Sequence, residues 1–134
     1  MIWLLDTSVF LWARSSPERL NRRAREILSS DGEPLFLSAA SAWEIGIKYN
    51  LGKLELPEPP SRYVPHAMAS GGVQALEISH RHALAASELA PHHQDPFDRV
   101  LIAQAGVEGM TLLTADRMFE RYDVAAVWCG RAHE

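Results

Sequence analysis

The sequence predicts an α/β fold in which a parallel sheet of five strands lies between layers of helices. Short apolar runs recur along the 134 residues, and longer segments with apolar residues at helical spacing separate most of them. Strands that alternate with helices pair in parallel through right-handed crossovers, and their helices cover both faces of the sheet. The order of elements therefore predicts a three-layer architecture.

The predicted strands are the apolar runs themselves. The first ends at an acid, Asp6, and the second is followed at once by Ser38. The five strands are predicted at residues 1–5, 35–37, 73–78, 110–114 and 124–128.

The predicted helices begin at residues that commonly cap an N-terminus, and two of them carry proline in the first turn. A glycine, Gly109, ends the last long helix. The helices, each with its cap, are predicted at 17–28 after Ser16, 39–50 after Ser38, 80–89 after Ser79 and 96–107 after Asp95. A weaker helix ends at residue 71, after a proline-rich surface connection at 55–61.

Length and composition narrow the class of protein. A chain of 134 residues with 47% apolar and 22% charged residues suits one globular domain, which we expect to span residues 1–134. Cys129 is the only cysteine, so the chain can form no intrachain disulfide and no zinc site of several thiolates. No apolar run approaches the roughly 20 residues of a membrane span, and we expect a cytoplasmic protein.

The net charge of −4 comes from 13 basic and 17 acidic residues. This balance argues against a simple nucleic-acid-binding module, which usually carries a basic surplus. If four of the acids formed one site, the remaining acids would equal the bases in number. The mild acidity can therefore belong to a site rather than to the whole surface.

Two acids stand where a predicted strand ends. Asp6 follows the first strand and is followed by Thr7 and Ser8, and Asp116 closely follows Thr114 at the end of the fourth strand. In parallel sheets, ligands bind outside the carboxyl ends of the strands. Carboxylates that meet there repel each other unless a cation lies between them, and a hard divalent cation prefers such oxygen ligands.

Two further acids fall near the same edge. Glu44 lies among apolar residues in the helix after the second strand, and Asp98 lies in the first turn of the helix capped by Asp95. Each acid also has a structural interpretation. Asp6, Asp95 and Asp116 can cap helices. Glu44 can complete a capping box with Ser41, and the charge of Asp98 can interact favourably with the dipole of its helix. No single structural requirement explains all four acids at one edge.

The aromatic and histidine residues are less informative. His92 and His93 flank the loop before Asp95 and can contact substrate or metal, although loop histidines are more often inert. His80 and His82 are predicted on an exposed helix turn. Trp3, Trp12 and Trp43 fall in apolar runs, so we expect them in the core rather than as platforms for base stacking.

These residues match a family pattern. The segments Leu5-Asp6-Thr7-Ser8, Trp43-Glu44-Ile45, Asp95-Pro96-Phe97-Asp98-Arg99 and Leu113-Thr114-Ala115-Asp116 occur in order in a short chain. Together they resemble a PIN domain, and more narrowly the VapC-type toxins of bacterial toxin–antitoxin pairs. The resemblance extends from Ile2 to about Trp128, and the Asp95–Arg99 segment is its most specific part.

The resemblance implies a Rossmann-like α/β/α sandwich with strand order 3-2-1-4-5. It also implies an endoribonuclease that uses one or two Mg²⁺ or Mn²⁺ ions, with a metal-activated water attacking the RNA phosphodiester. By this resemblance the catalytic and metal-binding acids are Asp6, Glu44, Asp98 and Asp116, with Thr7, Ser8, Asp95 and Thr114 in support. The implied partners are RNA, a small antitoxin and a second copy of the chain, in the bacterial cytoplasm.

An acidic site needs help to attract RNA. Arg14, Arg22 and Arg25 belong to an arginine-rich stretch that can present a basic face to phosphates, although a solvated helix face explains them equally well. Arg99, beside Asp98, can contact phosphate or pair with an acid.

Other functions remain as alternatives. An aspartyl phosphatase needs a second acid where Ser8 stands, and a phospho-receiver domain needs a lysine after a late strand, where this chain has none. No glycine-rich dinucleotide or phosphate loop is present. A PIN nuclease of RNA processing without an antitoxin, and a PIN-like binding module without catalysis, stay open.

Overall fold

A computed structural model describes residues 1–131 of the chain. Its centre is a five-stranded parallel sheet in the order β3-β2-β1-β4-β5, as predicted. The strands are β1 Trp3–Leu5, β2 Leu35–Ser38, β3 Val73–Leu76, β4 Thr111–Thr114 and β5 Ala126–Trp128. The α-helices are α1 Thr7–Ser15, α2 Arg22–Ser29, α3 Ala39–Asn50, α4 Pro60–Gly71, α5 His80–Ser87 and α6 Pro96–Glu108, with 3₁₀ turns at Pro17–Arg19 and Arg117–Arg121.

Strand β1 occupies the middle of the sheet and sends alternate side chains to its two faces. Trp3 and Leu5 join the core beneath α1 to α4, whereas Leu4 joins a second core with Leu101 of α6 and Leu112 of β4. Leu5 pairs in register with Leu113. The carboxyl ends of β1 and β4 are therefore neighbours, which brings the residues after them together.

The prediction of one continuous helix at 17–28 is wrong, because the helix is interrupted after its first turn. Pro17–Arg19 is a 3₁₀ turn, the Ser16 side chain makes no capping hydrogen bond, and α2 starts only at Arg22. Asn21 is the true cap and accepts from the Ala24 amide. Its side-chain amide also donates to the carbonyls of Trp128 and Gly130, so pairing with the end of the sheet interrupts the helix.

Four strands are shorter than predicted: β1 starts at Trp3, and contacts outside the sheet shorten β3, β4 and β5. Beyond Leu76, the carbonyl of Glu77 accepts from the Gln104 side chain instead of continuing β3. Met110 belongs to the end of α6, where its amide donates to the Ala105 carbonyl after Gly109 turns at φ +68°. Val124 lies in a turn before β5.

The expected exposure of His82 is also wrong, since its side chain is buried. Its Nδ1 accepts from the Ser79 amide while Ser79 Oγ accepts from the His82 amide, so the imidazole completes the cap of α5. Nε2 lies 2.7 Å from Glu108 Oε2. Packing of α5 against α6 accounts for the burial. No helix within residues 1–131 is long and apolar enough to cross a membrane.

Phe119 is the side chain that secures the turn after Asp116. It is fully buried and packs in the core with Leu4 and Leu112. We expect Phe119→Ala to lower the free energy of unfolding by about 3–5 kcal/mol, because it leaves a cavity in a closed core. Urea unfolding measures this loss, and the exposed neighbour Glu120→Ala should change stability by less than about 0.5 kcal/mol. Equal effects of the two variants would contradict this packing.

Candidate active site

Four acids converge at the carboxyl edge of the sheet, and we call Asp6, Glu44, Asp98 and Asp116 the acid cluster. Asp6 directly follows β1, and Asp116 follows β4 by one residue. Glu44 lies in the middle of α3, and Asp98 is the third residue of α6. The crossovers of the parallel sheet thus bring residues 110 positions apart in the chain to one place.

Asp6 is buried and held by a threonine from the next strand. The Thr114 hydroxyl donates to Asp6 Oδ2 at 2.8 Å and accepts from the Asp116 amide at 3.0 Å. Asp6 occupies the N-cap position of α1, yet its side chain makes no capping hydrogen bond. Burial, together with the charges of Glu44 and Asp116, raises the pKa of Asp6 to about 6. Capping therefore does not explain this residue.

Glu44 is buried and fixed on both oxygens. The Thr7 hydroxyl donates to Oε1 at 2.8 Å and lies equally far from Ser41 Oγ, and Lys48 Nζ lies 2.6 Å from Oε2. The alternative interpretation of Glu44, a capping box with Ser41, does not hold, because Ser38 caps α3 and Ser41 lies inside the helix. The hydrogen bond to Glu44 is the main cause that raises the pKa of Lys48.

Lys48 was missed by the sequence interpretation. Its position one helical turn after Glu44 is the signal that predicts their pairing. Its side chain is about half exposed, so the ammonium group stands at the rim of an otherwise acidic site.

Asp98 and Asp116 face each other across a histidine. His93 Nε2 lies 2.9 Å from Asp98 Oδ2 and 3.4 Å from Asp116 Oδ2. Burial, followed by the charges of Asp6, Asp95, Glu44 and Asp116, raises the pKa of Asp98 to about 8. Asp116 also caps the turn that follows it, since its Oδ1 accepts from the Met118 amide. Asp116 can therefore serve both as a cap, through Oδ1, and as part of the acid cluster, through Oδ2.

His93 belongs to a closely held loop. Its backbone amide donates to the Tyr122 hydroxyl at 2.7 Å, and its ring meets Phe119 edge-on. The Asp95 amide donates to Nδ1 at 3.3 Å, which places the proton of a neutral ring on Nε2. Within residues 1–131, Nε2 is buried without a partner in hydrogen-bond geometry although two carboxylates lie beside it. The sequence located His93 near the site but could not distinguish it from an inert loop residue.

Arg99 holds this loop in place. Its guanidinium donates to the carbonyls of Ala86, Leu89, Ala90 and His93 at 2.9–3.2 Å. These bonds occupy the group with backbone oxygens and favour a structural role over the suggested contact with phosphate.

Asp95 caps α6 as predicted, because its Oδ1 accepts from the amides of Phe97 and Asp98. The cap starts the helix at the turn that carries Asp98, so Asp95 supports the cluster through the backbone. Ser8 is the second residue of α1 and is half-buried.

The candidate RNA-contacting arginines lie apart from the acid cluster. Arg14 and Arg25 line a groove of about 370 Å³ that also includes Leu35 and Val73, the first residues of β2 and β3. Arg14 is seven residues along α1 from Thr7, which is roughly 10 Å at 1.5 Å per residue. Arg22 is exposed at the start of α2 and pairs with Glu26. The structure therefore does not bring these arginines into the cluster.

Trp43 is not a core residue, which corrects the sequence expectation. Its side chain is 66% exposed, whereas Trp3 is buried and Trp12 packs partly against the core. The α3 helix turns Glu44 and Ile45 inward and leaves the preceding residue outside. Trp43 meets the Phe97 ring edge-on at 5.5 Å between centroids.

The chemistry of these donors suits a hard divalent cation. The cluster supplies carboxylate oxygens, the ligands that Mg²⁺ and Mn²⁺ prefer. His93, Asp98 and Asp116 can each offer a ligand atom, and these atoms lie within 4.8 Å of one another. Two carboxyl groups with raised pKa values indicate that the arrangement is costly without positive charge. The residues therefore fit a metal ion.

The chain is similar to known proteins in sequence and in fold. The family model for the PIN domain matches residues 3–125. Ribonuclease VapC16 of Mycobacterium tuberculosis is 48% identical over 58 residues, and this alignment covers 43% of the chain. It spans only 41% of the relative's own length.

Solved structures share the fold at low sequence identity. A chain of VapBC2 from Rickettsia felis, solved with a DNA fragment from its promoter, superposes with a TM-score of 0.72 at 16% identity, covering 96% of this chain and 99% of the other. VapBC-1 from nontypeable Haemophilus influenzae gives a TM-score of 0.68 at 16% identity, covering 96% and 98%. FitAcB from Neisseria gonorrhoeae gives 0.63 at 24% identity, covering 94% and 96%.

The pKa of Asp98 predicts how metal-free stability depends on pH. The unfolded carboxyl loses its proton near the ordinary value of 3.8, whereas the folded group keeps it to about 8. Unfolding between these values releases a proton, so stability falls as pH rises. With EDTA present, we expect wild type to lose at least ~1 kcal/mol more than Asp98→Asn between pH 5.5 and 8.5 in urea unfolding.

The control for this experiment is Asp123→Asn, which removes an exposed acid. It should keep the wild-type dependence on pH. Parallel curves for wild type and Asp98→Asn would show that Asp98 is not protonated in the folded protein.

Proposed function

The chain belongs to the PIN domain family, and we propose that it is a divalent-metal-dependent endoribonuclease, the toxin of a VapBC-like toxin–antitoxin pair. The observation that carries the proposal is the convergence of four carboxylates at one sheet edge, where burial and neighbouring charges raise the pKa values of Asp6 and Asp98. A fold does not require such repulsion, whereas a metal-dependent hydrolase uses it. The similarity to a ribonuclease over part of the chain supports RNA as the substrate.

In the proposed mechanism Asp6, Asp98 and Asp116 hold Mg²⁺ or Mn²⁺ through carboxylate oxygens. A bound metal would lower the pKa of a water molecule, and its positive charge would stabilise negative charge on the scissile phosphate. The Thr114 hydroxyl donates to Asp6 and accepts from the Asp116 amide, so one hydroxyl fixes the positions of two of these acids. Asp98 must give up its proton for binding, so metal affinity rises with pH until Asp98 is ionised.

Glu44 is the residue that we propose orients the attacking water. Both its oxygens are already held, by Thr7 and by Lys48, which fixes the plane of the carboxylate. A remaining lone pair can accept a hydrogen bond from water at a set angle. The exposed end of Lys48 offers positive charge where a phosphate approaches.

The proposed partners are RNA, an antitoxin and a second copy of the chain. Three of the structural neighbours are described as VapBC assemblies, which supports an antitoxin for this protein as well. Homodimerisation remains a prediction that sedimentation velocity can test. We expect the protein to act in the bacterial cytoplasm, where its RNA substrate is present.

A PIN nuclease that works in RNA processing without an antitoxin would use the same chemistry. Purification from the native host distinguishes the toxin from the RNA-processing nuclease, because an antitoxin would co-purify with the chain as a stable complex. A binding module without catalysis would need none of the cluster's repulsion and is the less favoured alternative.

Loss of cluster ligands should abolish cleavage of RNA. We expect Asp6→Asn and Asp116→Asn each to reduce the rate at least about 100-fold, because metal catalysis supplies several kcal/mol of transition-state stabilisation. The assay follows total bacterial RNA with Mn²⁺ or Mg²⁺, after removal of any bound small protein, and circular dichroism confirms folding.

EDTA should stop the wild-type reaction, and Asp123→Asn should cleave at the wild-type rate. Metal-dependent cleavage that survives in both cluster variants would refute the assignment of these acids.

A further inference from the structure

Trp43 presents a large apolar surface to solvent beside the acid cluster. It precedes Glu44 on α3, and its partner Phe97 precedes Asp98 on α6. Both aromatic rings are thus anchored on the helices that carry cluster acids. The exposed indole contrasts with its neighbours Glu44 and Ile45, which are buried.

The contact with Phe97 orients the indole without covering it. The two rings meet at an interplanar angle of 88°, with 5.5 Å between centroids. Rings in this edge-to-face arrangement do not lie flat on each other, so at least one indole face is not covered by Phe97. The indole therefore offers a supported flat surface.

A cationic group lies on the same helix. The side chain of Lys48 is about half exposed, and its ammonium group contacts Glu44, the residue that follows Trp43. Aromatic faces that receive bases, together with positive charge that follows the backbone, are the features by which proteins bind single-stranded nucleic acids. Two other apolar side chains of similar exposure, Leu84 of α5 and Leu51 directly after α3, are aliphatic.

We propose that Trp43, supported by Phe97, stacks on an unpaired base of the RNA next to the phosphodiester held at the acid cluster. The inference rests on the proposed function and adds to it the side chain that holds a base beside the acid cluster. Every base has a π-face, so this contact selects unpaired over paired RNA rather than one base over another. It also supplies affinity that a net acidic site does not obtain from charge.

Binding of a fluorescently labelled single-stranded RNA, followed by anisotropy in the full-length Asp6→Asn chain to keep the RNA intact, tests the proposal. Adding Trp43→Ala should raise Kd about 5-fold to 150-fold, the range measured for loss of one stacked base. Trp43→Phe should stay within about 3-fold, because it keeps an aromatic face. Leu51→Ala is the matched control for loss of an exposed apolar side chain and should leave Kd unchanged.

A duplex of the same sequence separates stacking from general affinity. Its base faces are covered, so Trp43→Ala should change duplex binding by less than about 2-fold. Equal Kd values for Trp43→Ala and its parent on single-stranded RNA would overturn the proposal. So would a loss of dimerisation in sedimentation velocity with RNA affinity unchanged, because the indole would then belong to a protein interface.

The same measurements distinguish failure of the proposed function from failure of this inference. If wild type cleaves no RNA with metal but single-strand affinity depends on Trp43, the stacking site stands and the nuclease assignment fails. If wild type cleaves RNA and Trp43→Ala binds and cleaves equally well, the nuclease assignment stands and the stacking site fails.

Discussion

The close approach of four carboxylates at one edge of the sheet is the constraint on which the rest of this structure depends. Asp6 and Asp98 are buried in surroundings that raise their pKa values to about 6 and about 8. A fold selected for stability alone would avoid such burial of like charges. Two groups on the chain itself partly offset the repulsion, since Lys48 pairs with Glu44 and His93 lies between Asp98 and Asp116. The remaining excess of negative charge is what makes the cluster a receptor for a cation.

The fold maintains this arrangement through contacts that lie outside the cluster. Thr114 links the ends of β1 and β4, and Thr7 links α1 to α3. Arg99 gathers four carbonyls and so shapes the loop that carries His93. These are hydrogen bonds from side chains to rigid elements, which keep ligands near a fixed geometry before a metal arrives. The site is therefore preorganised by neutral and cationic donors from the strands and helices around it.

The sequence predicted a parallel sheet and four acids at one edge of it, because apolar periodicity and strand-end positions are local signals. The order of the strands was implied by the family resemblance. It placed Asp95 correctly as a cap, since proline follows it. It could not predict the break before α2, which depends on Asn21 reaching the distant end of β5. The burial of His82 depends on the packing of α5 against α6, and Trp43 on α3 meets Phe97 on α6, so neither environment can be inferred from the local pattern. Local patterns thus located the acids of the site, whereas the environment of the side chains around them depends on tertiary contacts.

Calorimetric titration of Mn²⁺ into the metal-free chain at pH 8 tests the central claim most directly, since it measures the cluster without any assumption about substrate. Wild type should bind with a defined stoichiometry of one or two ions, and affinity should fall at least about tenfold in Asp98→Asn while the fold persists. Binding should also release protons, seen as a heat that varies with the ionisation enthalpy of the buffer. Absence of binding by the folded wild-type chain, or equal affinity in Asp98→Asn and wild type, would contradict the view that these carboxylates form one metal site.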